Sequence, residues 1–180
     1  RYRGCCKAQT AAERSMWKVL IADDEPKIRQ GLKSVLEEMQ LPITVCAEAR
    51  NGMEALEKAE QSQPDFILMD ICMPKLSGIE FLEELRKLDQ NCPVIVISGF
   101  NEFSYAKQAI KLGVSEYLLK PIAEEELKAA VVKVIEEIKQ KRKSEKFMEL
   151  VKQQMVQNQD YLRDVFFNEW MESKLSRSEW

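Results

Sequence analysis

Three carboxylates, one hydroxyl and one ammonium stand at the ends of short apolar runs in this chain. Asp23 and Asp24 follow KVLIA (18–22), Asp70 follows DFILM (65–69), and Ser98-Gly99 follows PVIVI (93–97). Lys120 closes EYLLK (116–120) and precedes Pro121. Three carboxylates brought together repel one another unless a hard divalent cation sits among them. An all-oxygen donor set without sulfur or imidazole favours Mg²⁺ or Mn²⁺, which keep waters and accept a phosphoryl oxygen as a further ligand. The Lys120 ammonium and the Ser98 hydroxyl would then address the other phosphoryl oxygens. A carboxylate can itself be the nucleophile, giving an aspartyl phosphate, and the remaining catalysis is positioning and charge neutralisation. Singly, each group has a plainer reading, since a strand-end Asp is commonly a turn residue or helix cap. Their joint placement is what points to a site.

Composition narrows the chemistry further. The chain contains no histidine, which removes Ser-His and Cys-His nucleophile pairs, His-containing zinc sites and His general bases together. The cysteines, 5, 6, 46, 72 and 92, form no C-x-x-C pair and suit a reducing cytosol, where single thiols act as small apolar groups. With 180 residues, one domain or one domain with an appendage is expected. A charged fraction of 32%, with no run near the roughly 18 apolar residues of a membrane span, predicts a soluble, cytoplasmic protein with no membrane partner.

Elements that could position those residues alternate along the chain. Strands are expected at 18–22, 43–49, 65–69, 93–97 and 116–120. Amphipathic segments lie between them at 28–39, 53–61, 78–88 and 103–112, and a fifth helix begins near Ala123. The pattern implies an α/β fold, a parallel sheet with helices on both faces. The first, third and fourth strands are apolar almost throughout, as central strands are, and the second alternates, as an edge does. Ligands in such sheets sit beyond the carboxyl ends of the strands, where the five groups stand. Pro26 is placed for the first turn of the first helix.

On these residues the chain resembles the receiver domain of a two-component response regulator. The likeness rests on the acidic pair Asp23-Asp24, on Asp70 within D-I-C-M-P-K-L-S-G with Met73, Pro74 and Gly78, on Ser98-Gly99 and on Lys120-Pro121, and it covers roughly residues 17–140. It implies a flavodoxin-like (βα)5 doubly wound sheet of strand order 2-1-3-4-5 with a C-terminal helical extension. It implies Asp70 as phosphoacceptor, with Mg²⁺ held directly by Asp24 and Asp70, by Asp23 through water and by the main-chain carbonyl of Cys72. Ser98 is then the switch hydroxyl and Tyr117 the aromatic that turns inward with it, while Gly99 leaves the phosphoryl group accessible. The donor histidine would belong to a partner sensor histidine kinase. The protein would be no turnover enzyme but a phosphoacceptor assisting its own phosphoryl transfer and hydrolysis. The resemblance implies output by dimerisation through helix 4, strand 5 and helix 5.

The segment 99–113 and the following V-S-E-Y-L-L-K-P-I resemble regulators whose receiver precedes a helix-turn-helix output domain of the arabinose-operon-regulator type. Phe103, Ala106, Ile110 and Leu112 are expected in the core of the receiver. Residues 123–170 contain neither Gly nor Pro and read as one long or two consecutive helices. Leu127, Val131, Val134 and Ile138 form a stripe expected to pack on the sheet. Past the basic cluster 139–146, read as a solvated face, Val151, Met155, Leu162 and Val165 or Phe166 form a second stripe, a candidate dimer seam interrupted by Asn158 and Gln159. Phe166, Phe167, Trp170, Met171 and Trp180 suggest a surface for a second subunit or a missing domain. The expected organisation is therefore a vector-derived leader (1–15), with Met16 as natural start, a receiver domain (16–140) and a helical linker (141–180) truncated before a DNA-binding domain. Three alternatives stand beside this reading. A phosphate-independent pseudo-receiver would keep the fold. An aspartyl-phosphate phosphohydrolase of the haloacid-dehalogenase type would want an acid where Cys72 stands. A flavin carrier would want hydroxyls where Asp23-Asp24-Glu25 would repel phosphate.

Overall fold

The computed structural model describes residues 16–88, 91–99 and 103–175, with the backbone alone at 103, 104 and 156–175. The elements run β1 (Trp17–Ala22), α1 (Pro26–Glu38), β2 (Ile43–Ala49), α2 (Gly52–Ser62), β3 (Phe66–Asp70), α3 (Gly78–Lys87), β4 (Val94–Ser98), α4 (Phe103–Lys111), β5 (Glu116–Leu119) and α5 (Glu124–Leu175). The strands form one sheet of order β2-β1-β3-β4-β5, and every pairing is parallel. The five-strand alternation and the expected strand order are both present. β3 and β4 are buried along their whole length, β1 over its last four residues, and the edge strands β2 and β5 are only partly covered.

Parallel register aligns the strand tips. Ala22 pairs with Met69, so Asp23 emerges level with Asp70; Asp70 pairs with Ile97, and Ser98 with Leu119, so Ser98 and Lys120 follow at the same rim. Local sequence supports each turn. Pro26 opens α1, where a missing N–H costs nothing. The Asn51 side chain accepts from Glu54 N at 2.9 Å to cap α2, and Ser77 with Glu80 forms a capping box at the start of α3. After Asp70 the chain doubles back, and Gly78 N donates to Ile71 O at 2.8 Å. A β-carbon on Gly78 would lie 2.7 Å from the Asp70 carbonyl oxygen and 2.8 Å from Ile71 Cα, so only glycine fits this return.

The chain divides at Glu136 into two units, the second of which, within the described residues, is the remainder of α5. The first stripe is buried at Leu127, Val131, Val134 and Ile138. Residues 139–150 are exposed, which agrees with a solvated basic face. The expectation for Ile110 is overturned: it is 67% exposed, and its neighbour Ala109 is fully buried. Ala106, Ala109 and Leu112 define the inward line, three residues apart, and Ile110 falls a quarter turn beyond Ala109. The leader with Cys5 and Cys6, the side chains of Phe103, Leu162, Val165, Phe166, Phe167, Trp170 and Met171, and Trp180 lie outside the described residues. No helix among the described residues is long and apolar enough to cross a membrane.

Two glycine substitutions separate close approach from mere helix propensity. Gly78→Ala should lower the urea midpoint by an amount equal to about 1–3 kcal/mol, since backbone must shift to admit the methyl group. Gly31→Ala, within α1 with nothing near its added β-carbon, should raise stability by up to about 1 kcal/mol.

Candidate functional site

The β1 tip fixes Asp23 through its backbone and its side chain. Asp23 N donates to Ala49 O at 3.1 Å, and Asp23 Oδ1 accepts from Glu25 N at 2.8 Å. Asp23 is 1% exposed and Asp70 5%, while Asp24 is exposed at the mouth. One carboxylate oxygen from each of Asp23, Asp24 and Asp70 lies within 4.8 Å of the others. Lys120 reaches across from β5, its Nζ 3.1 Å from Asp23 Oδ2 and 3.4 Å from Asp70 Oδ1. Its own backbone N donates to Ser98 O at 2.7 Å, and a cis peptide bond joins it to Pro121. Four of the expected residues thus form one polar cluster.

The remaining expected residues surround it. Ser98 is fully buried at the β4 tip, and its hydroxyl lies 3.4 Å from the Gly99 carbonyl. A β-carbon on Gly99 would meet nothing within 4 Å among the described residues. Tyr117 pairs with Val96, which places it on the same sheet face as Ser98, and it packs partly buried against the cluster containing Val96 and Ala109. Cys72 is exposed in the loop after Asp70. The sequence reading missed Arg29. Its Nη1 donates to the Asp23 carbonyl at 2.7 Å and lies 3.4 Å from that of Asp24, and its Nε donates to Glu48 Oε2 at 3.3 Å.

Burial and charge set the protonation of the cluster. For Asp70 burial is the largest influence. It is opposed by the Lys120 charge and reinforced by that of Asp23, and the pKa is raised above the ordinary 3.8. For Lys120 burial works against the ammonium, but Asp23 and Asp70 outweigh it, so its pKa is raised above 10.5. Desolvation therefore dominates at the acid and charge pairing at the base. One ammonium facing three carboxylates leaves anionic charge uncompensated. All-oxygen donors of that charge, two of them buried, fit a hard divalent cation.

A family model described as the response regulator receiver domain matches residues 19–132. The chain is 33% identical over 161 residues to an uncharacterized transcriptional regulatory protein, YesN, of Bacillus subtilis (strain 168), which covers 89% of this chain and 43% of that protein. It is 36% identical over 120 residues to the transcriptional regulatory protein HptR of Staphylococcus aureus (strain NCTC 8325 / PS 47), with 67% of this chain and 47% of that protein covered. Among solved structures, the REC domain of AraT, a response regulator from Geobacillus stearothermophilus, superposes with a TM-score of 0.65 at 43% identity, over 71% of this chain and 98% of that one. The chain spans less than half the length of these curated relatives.

Because the folded state holds the Asp70 proton to higher pH than the unfolded chain does, stability contributed through this group falls as pH rises from 3.8 through the raised value. Asp70→Asn should therefore melt above the parent chain in EDTA at neutral pH, by a few degrees at roughly 2–4 °C per kcal/mol for a chain of this size. The gap should narrow on acidification toward 3.8. Scanning calorimetry with EDTA and with Mg²⁺ checks this, and Mg²⁺ should raise the parent's Tm more than the variant's.

Proposed function

The chain belongs to the response regulator receiver domain family, and from that membership we propose that Asp70 accepts a phosphoryl group from a partner sensor histidine kinase. The observation that carries this reading is the meeting of Asp23, Asp24 and Asp70 oxygens within 4.8 Å, with Lys120 Nζ 3.1 and 3.4 Å from two of the acids. An Asp70 carboxylate oxygen attacks phosphorus while the P–N bond of the donor phosphohistidine breaks. The bonding pair stays on the ring nitrogen, which takes a proton from water. Asp24 and Asp70 would hold Mg²⁺ (or Mn²⁺) directly and Asp23 through water, with the Cys72 main-chain carbonyl as a further ligand. Such an ion would supply neutralisation of the charge on the phosphoryl oxygens. Lys120 moves its ammonium from the carboxylates to a phosphoryl oxygen, and Gly99, lacking a side chain, leaves the group accessible.

The phosphoryl group adds up to about two negative charges and three acceptor oxygens. Ser98 turns to one of these oxygens, and Tyr117, on the same face, moves into the space it leaves. These movements bias the face formed by α4, β5 and the first part of α5, where Tyr105, Ile110 and Leu119 are exposed. A homodimer through that face is the output, with the C-terminal helical segment as a further contact. The names of the curated relatives support a role in transcription, and a cytoplasmic location is proposed with it. DNA contact is assigned to a helix-turn-helix output domain of the arabinose-operon-regulator type. In this organisation 16–140 is the receiver and 141–180 the helical linker. The protein consumes its own phosphoryl group by assisted hydrolysis, and does not turn over external esters.

Intact mass after incubation with a small phosphodonor and Mg²⁺ should rise by one phosphoryl group per chain. Asp70→Asn should abolish the gain. Lys120→Ala should retain part of it while losing the accompanying rise in dimer seen by light scattering. An unchanged mass of the parent chain would point to a pseudo-receiver, and release of many phosphates per chain to a hydrolase.

A further inference from the structure

Arg29 touches none of the three carboxylates, yet it grips the backbone that carries two of them. Its side chain is only 16% exposed, and the guanidinium donates to the Asp23 carbonyl at 2.7 Å, with the Asp24 carbonyl at 3.4 Å. The same side chain is tethered by Glu48 of β2, its Nε 3.3 Å from Oε2. Arg29 N also donates to Glu25 O at 3.2 Å, so the residue is anchored on the first turn of α1. Thus α1 and β2 both hold the loop that presents the acidic pair.

The physical need for such a hold follows from the cluster. Asp23 is fixed by Ala49 O and Glu25 N, but Asp24 is exposed and leads directly into α1. Carboxylates that repel one another tend to rotate their peptide units apart, and the loop between β1 and α1 is the segment able to yield. A guanidinium is permanently charged and planar, and its fork can serve the Asp23 carbonyl and the Glu48 carboxylate at once. Its positive charge is held at the main-chain carbonyls of the acid pair, 2.7 Å from that of Asp23, which lessens the repulsion between the acids.

We propose that Arg29 is a positioning residue for the divalent cation, pre-setting Asp23 and Asp24 through their main-chain carbonyls, with Glu48 as its anchor. The inference rests on the receiver reading of the acidic cluster. Loss of a partner that orients metal ligands typically weakens metal affinity about 10- to 100-fold. A lysine can make one of the two bonds but lacks the fork, so it should restore only part of the affinity.

Calorimetric titration of the 180-residue chain with Mg²⁺ alone, at fixed pH and ionic strength, is the test. Arg29→Ala should bind Mg²⁺ about 10- to 100-fold more weakly, Arg29→Lys should fall between it and the parent, and Glu48→Gln should weaken binding in the same direction. Phosphorylation by a small phosphodonor should recover in Arg29→Ala when Mg²⁺ is saturating, a split between cation affinity and rate that general loss of structure would not give. Unchanged Mg²⁺ affinity in Arg29→Ala overturns the inference while the parent's binding leaves the receiver reading standing. Should Arg29→Ala fail to fold, Arg29→Lys decides: parent-like affinity overturns the inference and weaker affinity supports it. A parent chain with no saturable Mg²⁺ binding overturns the receiver reading, and this inference with it.

Discussion

Two carboxylates on neighbouring strand tips, both almost fully buried, are the constraint on which this structure turns. Unit charges about 4 Å apart repel by on the order of 4 kcal/mol at an effective dielectric constant near 20, and burial adds a further cost to each. Lys120 offsets part of that cost through both Asp23 and Asp70, and the raised pKa of Asp70 marks what is left over. The folded chain is accordingly held in a state that a cation, a proton or a tetrahedral anion bridged by a cation would relieve. A site under this kind of charge stress can convert a small covalent change into a change of side-chain arrangement.

The remainder of the fold serves to hold that arrangement. Apolar β1, β3 and β4 bury on both faces, and their parallel register delivers Asp23, Asp70 and Ser98 to one rim. The return of the chain at Gly78 lets the loop after Asp70 close against its own backbone. On the far edge, β5 brings Lys120 across the tips and places Tyr117 on the same face as Ser98. Charge chemistry at the rim and packing at the β5 edge are therefore linked through two adjacent strands.

Much of this was readable in the residues themselves. Uninterrupted apolar runs identified the central strands, the alternating run identified β2 as an edge, and acidic or hydroxyl residues at their ends identified the rim. What escaped reading has physical causes. In the nine residues of α4, both Ala109 and Ile110 fit a helical apolar stripe, and only the rotation of the helix on the sheet decides which is buried. Arg29 escaped because it works on main-chain carbonyls, which every residue has, so no side-chain pattern announces it. The cis bond before Pro121 is likewise a property of the folded chain, and the dipeptide alone does not specify it.

On the proposed reading the strand-tip acids act as one unit, with Asp70 receiving the phosphoryl group beside a divalent cation. Borohydride reduction of the phosphodonor-treated chain, followed by peptide mass spectrometry, tests it directly, because an acyl phosphate on aspartate is reduced to homoserine. Homoserine is expected at position 70 only, and only when Mg²⁺ or Mn²⁺ is supplied. Homoserine at another acidic residue, or the same conversion at position 70 in the presence of excess chelator, would contradict it.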